Sequence, residues 1–468
     1  MVVGDFAIDL ETVVIGAGPG GYVAAIHAAE LGQKVTVIER EYVGGVCLNV
    51  GCIPSKALIN AGHRLQEARD ASAFGISKTD ATIDFAKTQD WKQHQVVERL
   101  TGGVRMLFKK HKIDLIEGDA FLKDDHSLRV IKSDSAQTYT FKNLIIATGS
   151  RPVEIKGFKF EQRVVDSTGG LNLPEVPKEL VVIGGGYIGS ELAGAYANLG
   201  AHVTILEGTP SILPNFDQDM VKLVLDSFKK RGVTVITKAM AQSATNFDDH
   251  VEIKYEVNGQ TETIKADYVM VTVGRRPNTN DMGLEQAGVT VGERGLLPVD
   301  NQGRTNKPNI YAIGDIVAGA ALAHKASYEG KVAAEAISGK PAAVDYRAMP
   351  AVCYTDPELA STGLTLKEAK AAGYDAKSDK FPFMANGRAI SLNATEGFVK
   401  LISNKADGTL LGAQIAGSGA SDLISELTLA VEGGMNITDI ALTIHPHPTL
   451  SEAIMDAADV AEGFPTNI

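Results

Sequence analysis

Three of the 468 residues are cysteines, and two of them, Cys47 and Cys52, stand five positions apart in GGVCLNVGCIPSK (Gly44 to Lys56), while Cys353 is alone. In a reducing compartment a close pair is more often chemical than structural. Five residues of regular helix rise about 7.5 Å, beyond the Cα separation of roughly 4.4 to 6.8 Å that a disulfide tolerates. A bridge between them therefore needs a distorted turn, with Gly51 and Pro54 as its agents, and strained bridges are the reducible kind. A metal site would need two further ligands, yet the nearest histidine, His63, lies eleven positions past Cys52 without a partner cysteine. No metal is expected. Two unrelated buried thiols remain the alternative for this spacing taken alone.

A second candidate is HPHPTLSE (His445 to Glu452), where Pro446 and Pro448 fix the backbone around two histidines and Glu452 follows His447 by five. By itself this is a rigid loop with surface histidines. Beside a dithiol it reads differently. An unperturbed thiol has a pKa near 8.5, so attack at neutral pH needs a base, and a histidine oriented by a carboxylate supplies one.

The elements that must position these groups begin with a repeat. TVVIGAGPGGYVAAIHAAELGQKVTVIER (Thr12 to Arg40) recurs as LVVIGGGYIGSELAGAYANLGAHVTILEG (Leu180 to Gly208) at a constant offset of 168. Each copy is an apolar β-branched run, GxGxxG, an apolar helix closed by Leu-Gly, and a second strand ending in Glu. The glycines allow a tight turn, a close approach of backbone N–H groups to a pyrophosphate, and close helix–sheet packing, and the acid binds a ribose. They are Gly16, Gly18 and Gly21 with Glu39, then Gly184, Gly186 and Gly189 with Glu207. A lone GxGxxG is an ordinary tight turn; two, each inside a full strand-turn-helix-strand unit, are two dinucleotide sites. Glu207 accepts from ribose hydroxyls but repels a 2′-phosphate by about 4 kcal/mol at ~4 Å and intermediate dielectric, and no Arg follows it, so NAD is expected over NADP.

LIIATGSRP (Leu144 to Pro152) and VMVTVGRRPN (Val269 to Asn278) are buried strands broken by Gly and Pro, suited to crossings between domains. NIYAIGDI (Asn309 to Ile316) is a third such strand, whose Asp315 is either a turn cap or a ligand for a sugar hydroxyl. Past residue 345 the fingerprints stop, and FVKLISNKADGTLLGAQIAG (Phe398 to Gly417) reads as an antiparallel hairpin about Asp407-Gly408. The expected fold is α/β: two Rossmann-like dinucleotide-binding domains and a C-terminal α+β domain. The boundaries are 1–150 for the first unit, 151–275 for the second, 276–345 for a central segment completing the first, and 346–468 for the last.

Composition fits. The chain is 44% hydrophobic and 22% charged, ordinary for a globular protein, and too long for one core. A net charge of −12 disfavours nucleic acid and acidic membranes as partners. The stretch from Thr12 to Ala29 carries no charged side chain except His27 and could suggest a membrane span, but Gly16, Gly18, Gly20 and Gly21 make it a turn. The first eleven residues hold Asp5, Asp9 and Glu11 and no Lys or Arg, unlike a targeting segment. A cytoplasmic protein is expected, or a mitochondrial one only if a presequence has been removed.

A nicotinamide moves a hydride and a disulfide is opened by a thiolate, so a mediator between them is required. A flavin can deal with both, which gives FAD to one unit and NAD to the other. Taken together, these segments closely resemble the pyridine nucleotide-disulfide oxidoreductase family over essentially the whole chain. GGVCLNVGCIPSKAL resembles the family's redox segment, with Val46 where Thr is common, and HPHPTLSE its acid/base segment.

The resemblance implies FAD on the first unit, held by Gly16, Gly18, Gly21 and Glu39, by Lys56, Asp119, Thr148 and Gly149, and by Asp315 and Ala323 of the LAHKA segment. It implies NAD on Gly184, Gly186, Tyr187, Gly189, Glu191, Glu207, Met240 and Gly274, with Lys56–Glu191 an ion pair and Tyr187 a cover for the nicotinamide site. Cys47 would meet a dihydrolipoamide substrate and Cys52 the flavin, with His447 and Glu452 as catalytic base and orienter, supplied across a homodimer. Implied partners are the lipoyl domain and the peripheral subunit-binding domain of the acyltransferase core of 2-oxo acid (pyruvate) dehydrogenase complexes. Glutathione-type reductases share the cysteine segment but usually carry arginines after the second fingerprint. Mercuric reductases carry C-terminal cysteines, absent from DVAEGFPTNI. A non-catalytic docking subunit would have no use for Cys47, Cys52, His447 and Glu452.

Overall fold

The structure, a computed structural model, describes residues 6–77 and 80–468; Asp5 of the acidic opening stretch lies outside the described residues. The first repeat copy folds as a strand (Thr12–Ile15), a helix (Pro19–Glu30) and a parallel strand (Val35–Glu39), in register from Thr12 against Val35 to Ile15 against Ile38. The second copy folds alike over Glu179–Ile183, Tyr187–Leu199 and His202–Glu207. These strands are apolar on both sides because helices cover one face of each sheet and an antiparallel meander packs on the other.

The first sheet has the order Ile310–Ala312, Asn143–Ile146, Thr12–Ile15, Val35–Glu39, Asp114–Glu117. Its outer strand thus comes from the segment past residue 276, as does the helix Ala323–Ile337, which lies along Pro19–Glu30. The second sheet has the order Val164–Val165, Tyr268–Val271, Glu179–Ile183, His202–Glu207, Thr234–Thr237.

The fingerprint glycines divide the work the same way in both copies. Gly16 and Gly184 take left-handed φ of 101° and 97° at the turn. A Cβ on Gly21 or Gly189 would lie 1.9 or 2.0 Å from the carbonyl oxygen of Gly16 or Gly184. Only glycine lets the helix come that close to its strand.

The likeness of the halves goes further than the sequence repeat. Each carries a three-stranded antiparallel meander before its last central strand: Asp119–Leu122, Ser127–Ile131 and Ala136–Thr140 in one, Met240–Asn246, Val251–Val257 and Gln260–Ala266 in the other. The two crossings foreseen at Gly-Arg-Pro segments pair with each other, Ser150–Pro152 running antiparallel to Arg275–Pro277.

The last domain is a five-stranded antiparallel sheet in the order Ala351–Cys353, Leu359–Gly363, Leu410–Ala416, Phe398–Asn404, Ala376–Pro382. The hairpin about Asp407-Gly408 is its centre. The helices Ala420–Glu432 and Glu452–Glu462 pack on it around Leu427, Ile424, Ile454 and Ala457. Among the described residues no helix is long and apolar enough to cross a membrane.

Candidate active site

The cysteine segment is two helices rather than one. Gly45–Val50 ends at Gly51, and Cys52 opens the helix Cys52–Arg69. Gly51 marks the break: a Cβ there would sit 2.9 Å from the Val46 carbonyl oxygen. Pro54 fits the same role. Buried in the first turn of the second helix, it has no N–H to carry a helical bond back to Val50, and that turn is where proline is tolerated.

The two sulfurs are free thiols in hydrogen-bond contact, and they are unequal. Cys47 donates to Cys52. That bond, helped by the Lys56 ammonium and opposed by burial, lowers the Cys52 thiol to about 7. The same bond and burial push Cys47 well above the usual thiol range. A thiolate on Cys52 also sits at the N-terminus of an 18-residue helix, where the helix dipole favours negative charge. Cys353, fully buried, is raised by burial and is not a nucleophile.

Both cysteines line a cavity of about 650 Å³ that reaches Gly16, Gly18, Glu39, Lys56, Asp119, Thr148, Gly149, Asp315 and Ala323, and also Tyr187 and Glu191 of the second unit. Gly21 lies behind it, in the helix–strand contact. At one end Glu39 accepts N–H bonds from Ala17 (2.6 Å) and Glu41 (2.9 Å). Glu207 does the same from Gly185 and Thr209, both 2.6 Å, the equivalent positions one repeat later. At the other end Lys56 Nζ meets Glu191 Oε2 at 2.7 Å and lies 4.6 Å from the Tyr354 ring centroid, while Tyr354 N–H donates to Glu191 at 2.9 Å. Burial lowers Lys56, but Glu191 more than offsets it, so the ammonium is held above its usual range.

Asp315 is not a turn cap: its Oδ2 accepts from Ser150 Oγ at 2.5 Å, and Ser150 in turn accepts from Arg275 Nε at 2.7 Å. Ser150 and Arg275 went unnoticed in the sequence because each looked like part of a crossing; their signal was the polar residue that follows each strand-ending glycine. Thr148 and Asn278 also tie the crossings together, Thr148 Oγ donating to Asn278 O at 2.7 Å.

A long cavity with glycine backbone and a ribose-type acid at one end and a thiol pair with a lysine at the other fits an extended flavin dinucleotide. Gly18 opens to it, a Cβ there meeting only Gly45 Cα at 3.8 Å.

Gly184, Gly186, Gly189, Glu207, Met240 and Gly274 do not reach this cavity. No atom comes within 4 Å of a Cβ built on Gly186 or Gly274, and Met240 is exposed beside Gly208. Tyr187, first residue of the second fingerprint helix, faces the cavity from that side.

His447 and Glu452 are also apart from the cysteines. His447 Nδ1 meets Glu452 Oε1 at 2.8 Å, Thr449 N–H holds the other Glu452 oxygen at 2.8 Å, and the histidine is 80% exposed. Burial raises Glu452, but Thr449 and His447 bring it below its usual range. With its proton on Nδ1, His447 leaves Nε2 open as a base. Leu442 and Ile444 beside it are 78% and 95% exposed.

A reactive thiol pair in one dinucleotide cavity, with a second dinucleotide unit at its back, defines a disulfide oxidoreductase that couples two nucleotide cofactors. The chain belongs to the pyridine nucleotide-disulphide oxidoreductase family: the model of that family matches residues 10–330, and that of its dimerisation domain matches 349–458. It is 61% identical to a dihydrolipoyl dehydrogenase of Geobacillus stearothermophilus over 468 residues, covering 100% of this chain and 99% of that one. With a dihydrolipoyl dehydrogenase of Bacillus subtilis it is 59% identical, each chain covered in full. Among solved structures it is similar to LpdA from Mycobacterium tuberculosis, with a TM-score of 0.90 at 27% identity over 97% of this chain and 99% of that one. It is also similar to the HOCl-induced flavoprotein disulfide reductase RclA from Escherichia coli, with a TM-score of 0.86 at 28% identity over 96% and 99%.

Proposed function

We propose that this chain is a dihydrolipoamide dehydrogenase: it oxidises dihydrolipoamide to lipoamide and reduces NAD, working as a homodimer in 2-oxo acid dehydrogenase complexes. The observation that carries the reading is the single cavity joining Glu39 and the first fingerprint to Cys47, Cys52 and the Lys56–Glu191 pair. FAD would lie along it, against Gly16, Gly18, Glu39, Asp119, Thr148, Gly149, Asp315 and Ala323, and when bound would take an electron pair from the dithiol and deliver it as hydride to NAD.

The chain's own residues account for the thiol steps. With Cys47 and Cys52 joined as a disulfide, a substrate thiolate attacks Cys47; the substrate–Cys47 bond forms, the Cys47–Cys52 bond breaks, and Cys52 leaves as the thiolate that Lys56 and the helix terminus favour. The second substrate thiol then attacks the mixed disulfide and releases Cys47 as a thiol. Two protons leave the substrate, one carried by His447 Nε2, whose charged form Glu452 stabilises.

Within one chain His447 stands away from the cavity, in the dimerisation domain, close in sequence to exposed Leu442 and Ile444. The base for each cavity is therefore the partner subunit's His447, and the dimer is obligate for turnover. On the second unit Gly184, Gly186, Gly189, Glu207, Met240 and Gly274 would hold NAD, with Tyr187 and Glu191 where its reactive ring meets the cavity. The lipoyl domain carries the substrate, and the peripheral subunit-binding domain of the acyltransferase core anchors the dimer.

Dithiothreitol or NADH should produce the long-wavelength absorbance of a thiolate against a flavin, and Cys52→Ser should abolish it. Turnover should be fastest with dihydrolipoamide and NAD when compared with glutathione disulfide and with NADP(H). Dihydrolipoamide turnover surviving in Cys52→Ser would overturn the proposal.

A further inference from the structure

The helix Ala323–Ile337 buries two opposite charges that no thiol or proton step requires. Lys325 Nζ meets Glu329 Oε1 at 2.7 Å with side chains 1% and 8% exposed. The pair closes on one residue. Glu329 Oε2 accepts the Gly314 N–H at 2.7 Å, and Lys325 Nζ donates to the Gly314 carbonyl at 3.3 Å. Gly314 has a left-handed φ of 78° and lies so near the helix that a Cβ would come 3.2 Å from that of Ala326. The next residue is Asp315, which faces the cavity.

The same helix also touches the first fingerprint. A Cβ on Gly20 would lie 3.1 Å from that of Ala326, and one on Gly330 would lie 2.7 Å from the Gly20 carbonyl oxygen. One rigid element therefore gauges both the glycine turn and the Gly314–Asp315 turn, two separate contacts of one extended ligand. A buried ion pair adds little net stability over apolar side chains of the same volume, so stability does not explain it. Holding the N–H and carbonyl of a strained glycine at a set height does.

We propose that Lys325 and Glu329 are positioning residues: their pair fixes the Gly314 peptides, and through them Asp315, in register with the fingerprint turn, and so sets how tightly the cavity holds a flavin dinucleotide. This rests on the flavin reading of the cavity.

The test compares two double variants with the wild-type chain. K325M/E329L removes charge and acceptor, while K325M/E329Q removes the charge and keeps an acceptor for the Gly314 N–H. Both lack an unpaired buried charge, so both should fold, K325M/E329L melting somewhat lower because its Gly314 N–H loses its acceptor. The readouts are the FAD dissociation constant, by flavin fluorescence, and hydrogen exchange of the Gly314 amide without FAD. K325M/E329L should bind FAD roughly ten- to a hundredfold more weakly, the loss of one buried acceptor, with Gly314 exchanging fast. K325M/E329Q should stay close to wild type in both. Equal FAD affinity in all three chains, or equal losses in both variants, overturns the proposal. Should K325M/E329L not fold, fast Gly314 exchange in wild type without FAD overturns it. A wild-type chain that takes up no FAD refutes the flavin reading instead, and the exchange comparison still decides the clamp.

Discussion

Lys56→Met separates the two forces that place a thiolate on Cys52. The Cys47 hydrogen bond is the larger and survives the substitution, while the ammonium is lost. An opposite charge at close range is worth roughly one to three pH units to a titrating group. Glu191, 4% exposed and 2.7 Å from Lys56, acts on Cys52 in the other direction, and without the lysine its carboxylate is no longer neutralised. Both changes raise Cys52. From about 7 in the wild-type chain, the midpoint should move up to roughly 8 to 10. The assay is a pH titration of the long-wavelength thiolate band in the dithiothreitol-reduced, FAD-loaded enzyme, where the band disappears as pH falls through the midpoint.

Stability must be followed in parallel. Stripping the partner from a fully buried pair costs roughly 3–5 kcal/mol, but Lys56 is 32% exposed and Glu191 keeps the Tyr354 N–H. A cost of about 2 kcal/mol is expected by discounting that range for solvent screening. K56M/E191Q removes the stranded carboxylate, so it should recover most of the stability and shift the midpoint less than K56M. A K56M midpoint within about half a unit of wild type would refute the electrostatic role given to Lys56.

Four further outcomes follow. Glu207→Gln should raise kcat/KM for NADP roughly ten- to a hundredfold, since the full repulsion of about 4 kcal/mol is partly screened; unchanged discrimination would place the 2′-hydroxyl elsewhere. Gly51→Ala should destabilise the chain and shift cysteine reactivity, because the new Cβ meets the Val46 carbonyl at 2.9 Å; a melting curve like wild type would contradict it. His447→Gln should cut dihydrolipoamide turnover about a hundredfold or more while NADH still reduces small-molecule acceptors; equal loss in both assays would point to misfolding. Asp219 joins the second unit to the last domain through Lys400 (2.9 Å) and Lys380. Burial raises its carboxyl, yet the two lysines hold it below the usual range. Its stabilising effect is therefore full above the unfolded value near 3.9 and fades as pH falls below it. Asp219→Asn should flatten the acid limb of urea unfolding below about pH 5 and cost roughly 1–2 kcal/mol at pH 7.

What the sequence made legible was whatever local spacing governs. GxGxxG with an acid after the next strand specifies turn, approach and ribose partner within thirty residues, and Glu39 and Glu207 accept their N–H bonds at equivalent positions. The cysteine spacing required a distorted turn, and the helix breaks at Gly51 with Pro54 in the turn that follows. What stayed hidden depends on distant chain. The Arg275–Ser150–Asp315 chain joins three segments across more than a hundred positions. The meander repeat was invisible because its strands alternate buried and exposed residues with no residue identity required at any one position. His447 could not be placed against the cysteines by spacing, and one chain does not place it there either.

The repeat also shows where chemistry entered this fold. Between the strand that ends in the acid, His202–Glu207, and the edge strand Thr234–Thr237 the second unit has one long helix, Gln218–Lys230. At the same place the first unit has Gly45–Val50, Cys52–Arg69 and the helical run Phe85–Lys110 before Asp114–Glu117. Where the copies agree, in the glycines and the acids, they would bind dinucleotides; where they differ, the first acquires its thiols. The second returns a contact to that insertion, Glu191 on its fingerprint helix meeting Lys56 on the cysteine helix. The cavity of the first unit thus ends on side chains of the second, Tyr187 and Glu191. Moving one unit relative to the other should disturb the Cys52 thiolate before it disturbs either fingerprint, because Lys56 lies on the boundary and the glycine turns do not.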